Sequence, residues 1–377
     1  MKQSLPLPAK KMRRRRRRQV IALVICLLLV APAISYARAL LYPGSASFAV
    51  RTVEWVRDHG GGGVIDAVET WKYSRQAPPA SGSPHDMPTV QQPTPIAGQS
   101  VGLPRVRTLR GVGALPHEGA WSSARTDAGG RTLVWTTWFR PDPAHLPVTA
   151  AAALLPQATD ALRLMPGTRE PVVGMASKNG YSIPSDARSN LVAAFNAGFK
   201  MADSHGGWWT TDSPAVPLVD GRASVVVYRN GTARIGEWNR NVSMTPDVVA
   251  VRQNLDMVVT GGRLVDGLTQ NAQGRWGSVR SQFQYTWRSG LGTDAKGDLI
   301  YVAGQGLTLA SLASAMQQTG IQQGMELDIH AAMVSFTIQQ PGAGGSLVSK
   351  QLLPSMTSPT DRYLVDDQRD FFYVVTR

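Results

Sequence analysis

Cysteine is almost missing from this chain: Cys26 is the single one in 377 residues, and it lies in an apolar run near the N-terminus. No intramolecular disulfide and no thiolate metal site can form, so the remaining chain must rely on its hydrophobic core. Metal-hydrolase spacing is missing too. The histidines (His59, His85, His117, His145, His205 and His330) are scattered and no H-E-x-x-H occurs, which argues against a zinc hydrolase. There is no phosphate-cradling P-loop and no repeat of fixed period, and no cofactor is expected. Residues 1–18 lack acids altogether while holding nine bases: Lys2, Lys10, Lys11 and Arg13 to Arg18. Without that tail the net charge falls from +13 to +4. No aromatic-interleaved basic stripe accompanies it, so nucleic acid is not an expected partner.

Directly after the tail comes a single apolar run, "QVIALVICLLLVAPAISYARALL", over residues 19–41. Basic residues before such a run hold the N-terminus in the cytoplasm and send the rest across the membrane. The run reads as an uncleaved transmembrane signal-anchor. The alternative is a signal peptide cut at Ala37-Arg38-Ala39. Either reading places the bulk of the chain outside the cytoplasm.

Five segments are expected: a basic cytoplasmic tail (1–18), the anchor (19–41), a juxtamembrane helical segment (42–73), a Pro/Ser/Gly-rich linker (74–104) and a domain over 105–377. Ser47 is the expected N-cap of a helix carrying Phe48, Val53 and Val56 on one face. The domain reads mainly as strands. "SVVVYRNGTARIGEW" signals a hairpin with a type I′ turn at Asn230-Gly231, and "LDMVVTGGRLVDG" a second one turning at Gly261-Gly262. A helix is expected over Pro147 to Leu164. Near the C-terminus, "GDLIYVAG", a helix capped by Thr308, and a strand from Met325 to Phe336 form a β-α-β order with parallel strands. The fold class is therefore α+β, a mixed, largely antiparallel sheet with a β-α-β unit near the C-terminus.

"MELDIHAAMVSF" (Met325–Phe336) carries the densest chemistry. On a regular strand Glu326, Asp328 and His330 share one face and Leu327 and Ile329 the other. Two carboxylates two residues apart can hold different pKa values, one acting as acid and the other as base or nucleophile. The competing reading is an ion pair between one of them and an arginine such as Arg288 in "YTWRSGLGTD", which otherwise suits a phosphate through its guanidinium fork. "AAFNAGFKM" runs a short strand into Asn196 and Gly198, where backbone can approach a ligand closely. "GGWWTTD" offers Trp208 and Trp209 as a sugar-stacking platform or as core. Gly98–Gly102 matches G-x-S-x-G, but it sits in the linker without the strand and helix of a nucleophile elbow.

Taken in order, Phe195-Asn196-Ala197-Gly198-Phe199, Arg288-Ser289-Gly290-Leu291-Gly292 and Glu326-Leu327-Asp328-Ile329 resemble the motifs of the phosphodiester glycosidase family. That family's pattern is N-G-G-F, then R-[ST]-x-x-G, then N-L-D-G-G-G-S. The likeness runs from about Pro147 onward. It departs from the pattern at Ala197, at Glu326, and at Ile329-His330-Ala331-Ala332 in place of G-G-G-S. The resemblance implies roles for Asn196, Arg288 and Asp328, whereas Glu326 and His330 rest on strand geometry alone.

The expected function is an extracytoplasmic, membrane-anchored hydrolase cleaving a glycosyl-phosphate diester in an envelope or secreted glycan, such as an exopolysaccharide. Asp328, Glu326, Arg288 and His330 are the candidate catalytic residues; Asn196, Gly198 and Arg288 are the candidate substrate-binding ones. Its partners are the glycan or sugar-phosphate substrate and the membrane. The alternative is a non-catalytic envelope protein of the same fold that binds a glycan or a partner.

Overall fold

The computed structural model describes residues 9–42, 44, 46–74, 77–84, 86–88, 102–213, 215–277 and 282–377. Gly98 to Val101 of the G-x-S-x-G match, His85, and the first eight residues of the tail lie outside them. Two compact units are present, residues 1–65 and 66–377.

In the first unit, helix α1 (Ala9–Leu41) contains a stretch, Arg16–Leu41, long and apolar enough to cross a membrane. Helix α2 (Phe48–Val56) starts where Ser47 Oγ accepts the Val50 N–H, the predicted N-cap. The two helices clasp. Arg51 donates to the carbonyls of Leu40 (2.9 Å), Gly44 (2.6 Å) and Ala46 (2.7 Å), satisfying one acceptor that the end of α1 leaves open and two in the connection to α2. Trp55 Nε1 donates to Ser35 Oγ at 3.1 Å and its ring meets Tyr36 edge-on. Helix α3 (Gly62–Ser74) carries the chain into the second unit.

The second unit is layered. Its eight-stranded sheet runs in the order β1 (Ser122–Thr126), β2 (Thr132–Phe139), β3 (Ala150–Leu155), β13 (Leu299–Leu307), β12 (Thr286–Thr293), β14 (Gln323–Ile329), β10 (Met257–Thr260), β11 (Arg263–Leu264). Facing it are two smaller sheets. One is ordered β16 (Leu347–Gln351), β15 (Phe336–Pro341), β5 (Leu191–Asn196), β17 (Phe371–Thr376), β4 (Asp160–Met165). The other is ordered β6 (Trp208–Thr210), β9 (Val248–Gln253), β7 (Ala223–Tyr228), β8 (Ala233–Glu237). The central core lies between the large sheet and the two small ones. There Ala151, Ala153, Leu291, Tyr301 and Leu327 meet Phe195, Phe336, Phe372, Val225 and Ile235. On the opposite face of the large sheet, Ala150, Ala152, Ile300 and Val302 pack under helix α5 (Leu309–Gln318) through Leu309, Leu312 and Met316. A further short helix, α4 (Met201–Ser204), follows β5.

The helix expected over 147–164 does not form; strands β3 and β4 stand there, because the segment is buried on both faces. Alanine is the strongest helix former, but propensity is a weak prior, and here the run Ala150–Leu155 is buried throughout between β2 and β13, with β4 following as a strand of another sheet. Small side chains let two layers close in, and tertiary packing overrides propensity. Glycine serves the same end in β12, where a Cβ on Gly290 would come within 2.5 Å of Met316 Sδ.

The β-α-β unit is present: β13 and β14 both run antiparallel to β12, which lies between them, so they are parallel to each other without pairing. Thr308 and Ser311 form a reciprocal capping box at α5. The Gly261-Gly262 hairpin has both residues at positive φ, as a type I′ turn requires. The other hairpin differs. Gly231 alone has positive φ, and Asn230 Oδ1 accepts the Thr232 N–H at 3.0 Å, so the loop is one residue longer than a type I′ turn. The strand expected over Met325–Phe336 is split: β14 ends at Ile329, His330 takes φ 73°, and the chain enters β15 in a different sheet at Phe336.

Candidate active site

The site grows out of an irregularity in β14. Gly290 pairs with Glu326 and Arg288 with Ile329, so two steps on β12 oppose three on β14. An extra residue on one strand is a β-bulge, which re-aims side chains. Met325 and Leu327 point into the central core, whereas Ile329 joins the layer under α5. Asn254 fixes this geometry, its Nδ2 donating to the Glu326 and Leu327 carbonyls at 2.7 Å each. Two successive strand carbonyls facing one donor are possible only where the pleat is broken. The expected shared face for Glu326, Asp328 and His330 therefore does not form.

Glu326 and Arg288 are brought together, away from Asp328. Arg288 Nη1 meets Glu326 Oε1 at 2.7 Å, and both side chains are fully buried. Arg288 also donates to the Leu307 carbonyl (2.8 Å), Gln282 Oε1 (3.1 Å) and the Gln284 carbonyl (3.2 Å). Burial raises the Glu326 pKa and Arg288 opposes that shift; burial lowers that of Arg288. Truncating one partner strands a buried charge, a loss of about 3–5 kcal/mol. Arg288→Met and Glu326→Leu should each lower the melting temperature sharply, and the double variant should lose less than the sum. Additive losses in thermal unfolding would show that the pair is not coupled.

Asp328 has different neighbours. Its Oδ1 accepts the Ile329 N–H at 2.8 Å and its Oδ2 meets Arg369 Nη2 at 3.0 Å. Burial pushes its carboxyl up to about 7; Arg369, the Ile329 N–H and Arg252 oppose the shift, and Asp203 adds to it. Two motif residues are joined here by hydrogen bonds. Asn196 Nδ2 donates to Ser289 Oγ at 3.0 Å, and Ser289 Oγ donates to the Asp328 carbonyl at 3.3 Å. Asn196 Oδ1 in turn accepts Tyr301 Oη–H (3.0 Å) and the Ser335 N–H (3.1 Å). Its amide is thus committed on both sides, which ties β5 of one sheet to β12 and β14 of another.

At Gly198 a Cβ would stand 3.0 Å from Asn254 Nδ2. The Gly198 carbonyl accepts Arg369 Nη2 at 2.8 Å. His330 is turned away from Glu326. Its Nδ1 lies 3.1 Å from Thr286 Oγ1, its Nε2 3.5 Å from Glu69 Oε2, and its ring stacks on Tyr73 of α3. Trp208 is fully buried core and Trp209 half-buried against the small four-stranded sheet, which removes the stacking platform.

Four residues of this neighbourhood were not singled out from sequence: Asn254, Arg252, Glu170 and Arg369. Arg252 pairs with Asp370 at 2.6 Å, both fully buried. Glu170 accepts the Met201 N–H at 3.0 Å; burial raises its pKa, with Arg369 opposing and Asp370 adding to the shift. Only "VRQN", an arginine and an asparagine leaving an apolar strand, carried a signal for two of them. Among the described residues, no group of three or more His, Cys, Asp and Glu side chains is arranged to hold a metal ion.

The phosphodiester glycosidase family model matches residues 189–346, a segment holding Asn196, Arg288 and Asp328. The resemblance read from those motifs is borne out over that segment, and the match supports a phosphodiester glycosidase hydrolase. No curated protein is matched by the sequence. Among solved structures, the chain is similar to the catalytic domain of zebrafish N-acetylglucosamine-1-phosphodiester alpha-N-acetylglucosaminidase, auto-inhibited by its pro-peptide. Identity is 14%, coverage 68% of this chain and 87% of that one, and the TM-score 0.43. A hypothetical protein from Synechocystis is 14% identical over 61% of this chain, with a TM-score of 0.34; the match spans 59% of that protein's length.

Proposed function

We propose that this chain, carrying a phosphodiester glycosidase match over residues 189–346, hydrolyses a glycosyl-phosphate diester outside the cytoplasm, in an envelope or secreted glycan. The observation that carries the reading is the chain of bonds from Asn196 through Ser289 to the Asp328 backbone, which ties together the strands carrying the family's asparagine and aspartate. In this reading Asp328 acts as base or nucleophile at the anomeric carbon, and a pKa near 7 suits that work at neutral pH. Asn196 and Ser289 hold the Asp328 backbone in place rather than touching the sugar. The buried Arg288–Glu326 pair supports the bulge from the far side. Helix α1 anchors the enzyme, and Arg13 to Arg18 keep the N-terminus cytoplasmic.

The test is a panel of sugar 1-phosphate methyl diesters incubated with the full-length chain in detergent micelles. At least one should release free sugar and methyl phosphate. Diesters that bind without turnover would favour the non-catalytic alternative, for which the altered Ile329-His330-Ala331-Ala332 segment is the motivating feature.

A further inference from the structure

We propose that Arg369 is the anion-binding residue of this site, taking the phosphodiester by exchanging its bond to Asp328 for bonds to the phosphate oxygens. The identity of the substrate rests on the hydrolase reading above; the choice of residue rests on geometry. Four arginines are candidates. Arg288 is fully buried and held by Glu326 and by backbone and amide oxygens. Arg252 is fully buried against Asp370, and Arg362 grips Asp367 through two bonds, at 2.8 and 3.2 Å. Each of these three has its charge cancelled by a carboxylate of its own.

Arg369 differs in two ways. A carboxylate bonded to it is the candidate reactive group, engaged through Oδ2 at 3.0 Å, and the charge of Arg369 also acts on Glu170. Its side chain is also the most open of the four, 12% exposed against 7% for Arg362 and 0% for Arg252 and Arg288. The Nη2 bond to the Gly198 carbonyl (2.8 Å) holds the guanidinium beside the Asn196–Phe199 turn and survives the exchange. Nη1 lies 3.4 Å from Met333 Sδ, a weak acceptor that a phosphate oxygen displaces readily. Two non-bridging phosphate oxygens match the guanidinium fork. Arg369 lies beyond residue 346, outside the matched segment.

The exchange also serves the chemistry. Asp328 surrenders its nearest counter-charge as substrate binds, which makes its carboxylate a stronger base. A water oxygen bonds to the anomeric carbon, its proton passes to Asp328, and the C–O bond to phosphate breaks with its electron pair leaving on the phosphate oxygen. The products are the free sugar and a phosphomonoester dianion.

Dimethyl phosphate, a singly charged diester, is the probe, titrated into the full-length chain in micelles and followed by phosphorus NMR. Arg369→Gln should weaken its binding roughly 10- to 100-fold, the range expected for losing charge-assisted bonds. Arg369→Lys, which keeps the charge but loses the fork, should fall between that and wild type. Asp328→Asn should tighten binding, because it removes the competing carboxylate, whereas a merely structural ion pair predicts no gain. Wild-type affinity in a folded Arg369→Gln, weaker binding in Asp328→Asn, or no binding by the wild type overturns the proposal. Should Arg369→Gln fail to fold, wild-type affinity in Arg369→Lys overturns it equally. Loss of binding in Arg369→Gln with no diester turned over would uphold the anion site and sink the hydrolase reading alone.

Discussion

Asp328→Asn is expected to lower turnover of a sugar 1-phosphate diester by roughly 10²–10⁴-fold, the range typical of losing a general acid or base. The fold should survive, because asparagine keeps an oxygen for the Ile329 N–H that Asp328 Oδ1 now accepts. The wild-type pH profile decides the role. A kcat/KM that rises through about pH 7 assigns base or nucleophile to Asp328, and one that falls through the same pH assigns acid. Stability carries a second signature. The folded pKa lies above the unfolded value of 3.8, so the folded state binds more protons between those limits. The wild type therefore loses stability as pH rises from about 4 to about 7, and Asp328→Asn should lack that component. Full activity in the variant would remove Asp328 from the mechanism. Arg288 gives no such clean test, since its loss is expected to disturb the core it shares with Glu326.

Asp160→Asn is expected to stabilise the protein at neutral and alkaline pH by a few kcal/mol, on the basis of ~1.4 kcal/mol per unit of pKa shift. Asp160 opens β4, buried, with Oδ1 accepting Thr159 Oγ1–H at 3.3 Å and Oδ2 without a hydrogen bond among the described residues. Burial pushes its carboxyl up to about 8; nearby Asp298 adds to the shift, while Thr159 and Arg377 oppose it. The unfolded chain ionises Asp160 near 3.8, so wild-type stability is intact below that value and erodes as pH climbs to about 8. The melting-temperature gap between variant and wild type should widen from pH 5 to pH 8. A gap that stays constant would mean the carboxyl does not titrate as its burial requires.

Much of the fold was legible wherever the information is local. Thr308 announces a helix cap and Gly261-Gly262 a type I′ turn, because each depends on a few adjacent residues. The alanine run Ala150–Leu155 was misread because nothing within it says that another layer will press on each face. The site divides along the same line. Asp328, Asn196 and Gly198 were readable from motifs. The β14 bulge was not, since it is pinned by Asn254, 72 residues before Glu326 in the chain. Across that bulge Glu326 meets Arg288 and Asp328 meets Arg369. His330 left the shared face for a related reason: at φ 73° it occupies backbone more natural to glycine, at a position where the family pattern has one.

The order of strands in the smaller five-stranded sheet has a temporal consequence. β17 lies between β5 and β4, and every strand it joins precedes it in the chain. A polypeptide synthesised N-terminus first must hold the edges of β5 and β4 apart until β17 emerges to fill the gap. Arg369 and Asp370 stand immediately before β17 and arrive with it. Asp328 thus meets Arg369 only at the close of synthesis, and a nascent chain stalled short of residue 369 is expected to bind no phosphodiester however well its earlier strands have paired.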